Sequence, residues 1–276
     1  MPVLATRSVA DFPIGNVPIR DHHAALKCGR FANLTMRADA WIMPQDLENL
    51  VASNGEALID ESGSALAWYG DAPSSDRSVS ATQSFVIRYS WDLLRANELH
   101  VSALSKSHIE GTVHPHATIE GILHLGPGSR ILPGVFVEGN VVIGANCKIG
   151  PNCYIRGNTA IGNNCHIGNA VEIKNSILLA HTHVAHLSYL GDSILGENVN
   201  LGAGTISSNF RHDGKNHRTS VDGTLVDTGR HKFGTIIGDG VHTGIHTSIY
   251  PGRKIGAGAT TLPGEIVKHD IQPPKT

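Results

Sequence analysis

Aromatic side chains are scarce, at 5% of the chain, and no apolar run approaches the roughly 18 residues that a membrane-spanning helix requires. A charge excess is also missing. With 22 Lys+Arg against 24 Asp+Glu the formal net charge is -2, which argues against a nucleic-acid module and its basic surplus. The four cysteines contain no C-x-x-C pair, so neither a disulfide framework nor a zinc knuckle is indicated, and reduced thiols in a cytoplasm are expected. The start, MPVLATRSVADFPIG, lacks the basic-then-apolar pattern of a signal peptide. What the chain does have is 31 Gly in 276 residues and 40% hydrophobic content, the composition of a folded protein with many tight turns, together with 17 His that need explaining by position.

A period of six organises the sequence. Stepping from Val113 gives Ile119, Leu125, Ile131, Val137, Ile143, Ile149, Ile155, Ile161, Ile167, Ile173 and Leu179, all aliphatic. If aliphatics fill about a quarter of positions, chance produces such a run about once in ten million. Helices repeat every ~3.6 residues and strands every 2, so neither explains it. Four residues after each anchor lies a second set of small or β-branched residues, including Ala117, Val135, Val141, Cys147, Cys153, Thr159, Cys165 and Val171, and His183 falls at the same inward register. Glycine often follows the anchor, at Gly126, Gly144, Gly150, Gly162 and Gly168, as tight corners require. The pattern predicts a mainly β protein, a parallel β-helix in which three hexapeptides close a coil and residues 18 apart stack at about 4.8 Å. The register is expected to slip between Leu179 and Leu195, to resume at Leu201, and to be interrupted over Ser207–Thr235 by an arm thrown out from a corner. It returns at Ile237, Thr243, Ile249, Ile255 and Thr261. The cysteines at 147, 153 and 165 read as small core residues, and His114, His116, His124 and His166 as surface groups at or near corners. Residues 1–105 lack the repeat; they are expected to form a small α/β cap of unknown role with a helix around Ser90–Glu98, leading into a solenoid over 106–276.

Charges inside the repeat carry the chemical information. Arg156 and Lys174 each follow an anchor and are one 18-residue coil apart, so two cations stack unless they splay into water; a phosphate satisfies that geometry. Glu172 precedes Lys174 by two residues on the same face. The segment His181-Thr182-His183-Val184-Ala185-His186 supplies imidazoles suited to proton transfer near neutral pH.

The stretches Gly168-Asn169-Ala170-Val171-Glu172-Ile173-Lys174, Ala185-His186-Leu187-Ser188-Tyr189-Leu190-Gly191-Asp192 and Asn198-Val199-Asn200-Leu201-Gly202-Ala203-Gly204-Thr205-Ile206, with Asn209, resemble the acetyltransferase half of bifunctional N-acetylglucosamine-1-phosphate uridyltransferases. Gly229-Arg230-His231-Lys232-Phe233-Gly234 is more similar to the archaeal-type sugar-1-phosphate nucleotidyltransferase/acetyltransferases, and the likeness covers about residues 90–265. The resemblance implies a left-handed β-helix, a homotrimer with sites between subunits, and acetyl transfer from acetyl-CoA to the amine of a hexosamine 1-phosphate. It implies His186 as general base and Glu172 as the carboxylate orienting it. Arg156 and Lys174 then hold the sugar phosphate, while Tyr189, Asn200 and Asn209 contact the sugar. Ala203 and Gly204 fall where acetyl-CoA is met, and Lys232, like Lys215 or Arg218, stands where the family's arm lysine reaches a neighbouring site. Phe210 replaces a family tyrosine, no counterpart of the bacterial CoA-binding C-terminal extension is seen, and residues 1–105 contain no nucleotidyltransferase phosphate loop, so uridyl transfer is not expected.

Two other readings remain. A solenoid of this kind also serves as a non-catalytic sugar-phosphate-binding or structural trimer. A γ-class carbonic anhydrase uses a metal on three histidines; His181 and His186 have a suitable spacing, but 181 − 36 = 145 is Ala145, so no structural metal is expected.

Overall fold

The computed structural model describes residues 6–73 and 76–275, and the chain divides into two compact units, Arg7–Asp92 and a second beginning at Leu93. The smaller unit carries a four-stranded sheet in the order Leu34–Met36, Ala65–Tyr69, Ala57–Ile59, Ser78–Ser80. It also carries the helices α1 (Ile19–Leu26) and α2 (Pro44–Ala52). Its core gathers Leu34, Ile42, Leu47, Leu50, Leu58 and Leu66. Proline at the first turn of α2 costs no hydrogen bond, because that amide has no intrahelical partner. Asp46 is 1% exposed yet accepts bonds from Thr82, Gln83 and Ser84, which hold its carboxyl below the ordinary range against the opposing effect of burial. His23 is buried with Nε2 on the Ala40 carbonyl at 2.9 Å, and His22 stands edge-on to Trp41.

The larger unit is a parallel β-solenoid with three faces. The first stacks six strands, Thr112–Val113, Arg130–Ile131, Lys148–Ile149, His166–Asn169, His183–His186 and Asn200–Leu201. The second and third stack eight each; the second includes Tyr154–Arg156, Glu172–Lys174 and Tyr189–Gly191. Anchors point inward and meet their equivalents directly, Ile131 on Ile149 on Ile167 and Val137 on Ile155 on Ile173. They form one continuous core in which Cys147, Cys153 and Cys165 are buried and unbridged, with burial pushing the Cys153 thiol up to about 12. Gly168 is required by sterics, since a Cβ there would lie 2.0 Å from the carbonyl oxygen of Ala185 on the next coil.

Three expectations are corrected. The register slips earlier than the aliphatic run implies. Arg156 pairs with Lys174, 18 residues on, whereas Ala160 pairs with Ile177, 17 on, so the corner at Asn175-Ser176 is one residue shorter than Gly157-Asn158-Thr159. Leu178 therefore takes the anchor place opposite Ile161, and Leu179 is buried out of register. For the same reason His183 does not occupy the inward second position. Thr182 does, buried behind Cys165, and His183 is exposed in line with His166. His124 is the middle residue of its strand and not a corner residue, whereas His166 opens its strand directly after a corner, as expected. Past the slip the second inward register turns to hydroxyls, and Ser176, Ser188, Ser193 and Thr205 each donate to a corner carbonyl.

The helix α3 (Ser90–Ser102) lies against one corner through a column of asparagines. Asn140 Nδ2 donates to the carbonyls of Val101, Ser102 and Leu104 at the end of the helix. Asn97 donates to the Asn158 carbonyl at 2.7 Å, and Asn175 donates to Glu98 at 2.6 Å. Arg230, from the arm, also pairs with Glu98. The arm itself carries an antiparallel hairpin, Arg218–Val221 with Thr224–Asp227, and rejoins the solenoid where Gly234 N donates to the Asp192 carbonyl at 2.9 Å.

Ile173 is fully buried, so Ile173→Ala is expected to cost about 2–5 kcal/mol, read from the denaturant midpoint of the solenoid. Burial first, opposed by backbone hydrogen bonds, lowers the pKa of His22 and His23. A base depressed in the folded state contributes stability above its unfolded pKa of about 6.5, and that contribution fades as pH falls from there. The smaller unit should lose on the order of 1 kcal/mol on acidification below about pH 6.5. The loss should shrink in His22→Gln/His23→Gln, and equal pH slopes for the two proteins would reject this origin.

Candidate functional site

Three-residue strands on the second face bury their middle residue and direct the outer two away from the core, creating two outward columns. One runs Phe136, Tyr154, Glu172, Tyr189, Ile206; the other runs Glu138, Arg156, Lys174, Gly191. Arg156 and Lys174 are thus on adjacent strands, as their spacing predicts, and neither is splayed into water. Arg156 donates from Nε and a terminal nitrogen to Glu172 Oε1 at 2.8 and 2.7 Å, with its guanidinium 5.2 Å from the centre of the Tyr154 ring. Lys174 Nζ donates to Asp192 Oδ2 at 3.1 Å. Two cations one strand apart would repel, and here each is matched by a carboxylate from the following coil.

Asp192 is the residue that sequence reasoning missed. Its side chain is buried and accepts from Lys174, from Asn209 Nδ2 at 2.6 Å and from Asn175 Nδ2 at 2.8 Å. The available signal was its distance from Lys174, 192 − 174 = 18 residues, a carboxylate one nominal coil beyond a cation. Tyr189 leans over Gly191. A Cβ at that glycine would lie 2.5 Å from both Tyr189 Oη and Asn209 Nδ2, so the missing side chain is what lets these groups converge. Burial, then the charges of Glu172 and Asp192, push the Tyr189 phenol above its ordinary pKa and keep it a hydrogen-bond donor.

Five expected residues are therefore brought together: Arg156, Glu172, Lys174, Tyr189 and Asn209. The others sit elsewhere. His186 ends its strand on the first face, exposed, and its carbonyl accepts from Gly204 N at 3.1 Å and Ser188 Oγ at 2.8 Å. It makes no hydrogen bond to Glu172 among the described residues; that carboxylate is engaged by Arg156. Ala203 and Gly204 lie one coil beyond His186. Gly202 N and Gly204 N are spent on Thr243 and His186, whereas the Ala203 N–H finds no acceptor among the described residues. Asn200 is exposed on the first face between His183 and His242, away from Tyr189 and Asn209. Lys232 is exposed at the root of the arm, bridged to Phe210 through the main chain. Among the described residues no group of three His, Cys, Asp or Glu side chains is placed to hold a metal ion, and no helix is long and apolar enough to cross a membrane.

A family model described as the GMPPB C-terminal domain matches residues 137–255. The chain is 39% identical over 181 residues to a bifunctional sugar-1-phosphate nucleotidylyltransferase/acetyltransferase of Sulfurisphaera tokodaii, covering 66% of this chain and 45% of that protein. It is 48% identical over 186 residues to the bifunctional protein GlmU of Methanococcus maripaludis, covering 67% of this chain and 45% of the relative. The solenoid is homologous to part of these bifunctional proteins. The chain spans less than half the length of either. Among solved structures a UDP-N-acetylglucosamine acyltransferase is similar at 18% identity with a TM-score of 0.27, over 57% of this chain and 66% of that one, too remote to argue from.

Replacing Asp192 with Ala strands Lys174, whose side chain is 18% exposed, without its counter-charge. The expected loss is about 3 kcal/mol in urea unfolding, against under about 1 kcal/mol for Glu172→Ala, whose partner Arg156 still reaches water.

Proposed function

We propose that the solenoid transfers an acetyl group from acetyl-CoA to the amine of a hexosamine 1-phosphate or a related sugar nucleotide. The observation that carries this reading is the convergence of Arg156, Lys174, Tyr189 and Asn209 on one patch of the second face, with the exposed His186 on the neighbouring corner and a free Ala203 N–H one coil on. Anionic oxygens of the acceptor take up donors from Arg156 and Lys174, and sugar hydroxyls meet Tyr189 and Asn209. Asp192 and Glu172 fix the two cations before the acceptor arrives, which spares the cost of ordering long side chains on binding.

In the chemical step the amine nitrogen attacks the thioester carbonyl and a C–N bond forms. The neutral imidazole of His186 removes the amine proton. Negative charge collects on the carbonyl oxygen, for which the Ala203 N–H is the available donor. The C–S bond then breaks, and the proton held by His186 leaves with the thiolate as CoA. In this reading Glu172 supports catalysis through Arg156. The assembly is a homotrimer, in which Leu187, Ile206 and Phe210, exposed apolar residues beside His186, Tyr189 and Asn209, are covered by a neighbour and Lys232 of the arm serves an adjacent site. Nucleotidyl transfer is not part of the proposal.

Release of CoA from acetyl-CoA with glucosamine 1-phosphate as acceptor tests it. His186→Ala is expected to lower kcat at least 100-fold with KM little changed, and Lys174→Ala chiefly to raise KM for the acceptor. Equal rates for wild type and His186→Ala would remove His186 from the mechanism. Calorimetric binding of the sugar phosphate with no binding of acetyl-CoA would replace catalysis with a binding role.

A further inference from the structure

The second face neutralises its cations; the first does not. Arg130, Lys148, His166 and His183 are Cα partners in successive strands and form one straight outward column, at the strand spacing of about 4.8 Å. Arg130, Lys148 and His183 are exposed and His166 is half-buried. None of the four makes an ion pair with a carboxylate among the described residues, whereas Arg156 and Lys174 one face away each have one. The imidazoles of His166 and His183 are 6.3 Å apart. Burial and then Lys148, His183 and His186 depress the pKa of His166, and no carboxylate enters among the causes. The column ends three residues from His186 on the same strand.

We propose that this column is a binding site for a phosphoanhydride, the diphosphate of a nucleotide lying along the coils and held by side chains that reach it from successive strands. Cations held one strand apart repel, and the described residues put no carboxylate in an ion pair with them; an extended polyanion supplies the counter-charge, with Arg130 and Lys148 as the permanent charges and the imidazoles as donors nearer the candidate base. The diphosphate arrives either in a nucleotide-sugar acceptor or in CoA itself. Only this last point rests on the acetyl-transfer reading; the site does not.

The test uses inorganic tripolyphosphate as the probe, titrated calorimetrically into the full chain at low salt. Wild type is expected to bind, with affinity falling as salt rises, and Arg130→Gln/Lys148→Gln to bind at least 10-fold more weakly, with Lys27→Gln, at an exposed cation of the smaller unit, unchanged. No binding by wild type, or binding lost in Arg156→Gln and kept in the double variant, overturns the site. In acetyl-transfer assays the double variant should raise KM for the nucleoside-diphosphate form of the amino sugar and not for its 1-phosphate, if the acceptor brings the diphosphate. It should raise KM for acetyl-CoA and not for acetyl-pantetheine, if the donor does. Neither KM moving overturns the assignment to a nucleotide. Absence of any transfer would defeat the acetyltransferase reading while tripolyphosphate binding sensitive to Arg130 and Lys148 still supports the site.

Discussion

Residues one coil apart sit directly above one another, and that stacking governs the rest of the structure. Parallel strands at a fixed spacing satisfy their backbone groups on the coils above and below, so an inward residue meets only its own equivalents and the two faces beside it. Ile155 on Ile173 on Leu190 is a column that exists because the backbone repeats, and it holds the repeat in phase in turn. The same rule acts outside the barrel. Any two outward residues at equivalent places are forced within a strand spacing, whatever their charge.

The faces answer that constraint differently. On the second, Arg156 and Lys174 are brought together by the stacking and then relieved by Glu172 and Asp192, each a coil further on, so the four formal charges cancel. A neutral, pre-ordered quartet of this kind does not attract anions from a distance; it recognises one that offers the right geometry on arrival. Asp192 ties that quartet to the body of the unit, because Asn175 bridges it to Glu98 of α3 and Glu98 receives Arg230 from the arm. The positions of the arm and the helix are thus both expressed at Lys174 through a chain of four polar side chains.

Much of this was legible in the sequence. The six-residue period gives the coil and the arm, because a solenoid writes its geometry into spacing, and the amphipathic patch at Ser90–Glu98 gives the helix. The stacked cations followed from the 18-residue separation of Arg156 and Lys174. The slip was misplaced for a simple reason. Leu178 and Leu179 are both aliphatic, so dropping one residue at Asn175-Ser176 leaves no mark in the hydrophobic pattern, and His183 was carried along to the wrong side of the wall. The asparagines at 140, 158 and 175 were illegible for the opposite reason: Asn suits any corner, and only coordinates reveal that three of them hold a helix. The partners of Glu172 and Asp192 depend on side-chain directions that spacing alone does not fix.

The short corner at Asn175 has a consequence for how such a chain tolerates change. Because the missing residue is absorbed where it occurs, the strands beyond it realign with those before it, and the sequence downstream is simply interpreted in another phase. Corners therefore act as punctuation at which single-residue gains or losses are neutralised locally, while the same event inside a strand would turn one stacked column inside out. Length variation in this architecture should gather at the three edges of the prism, and the flat walls, with whatever chemistry they display, can persist while the count between them drifts.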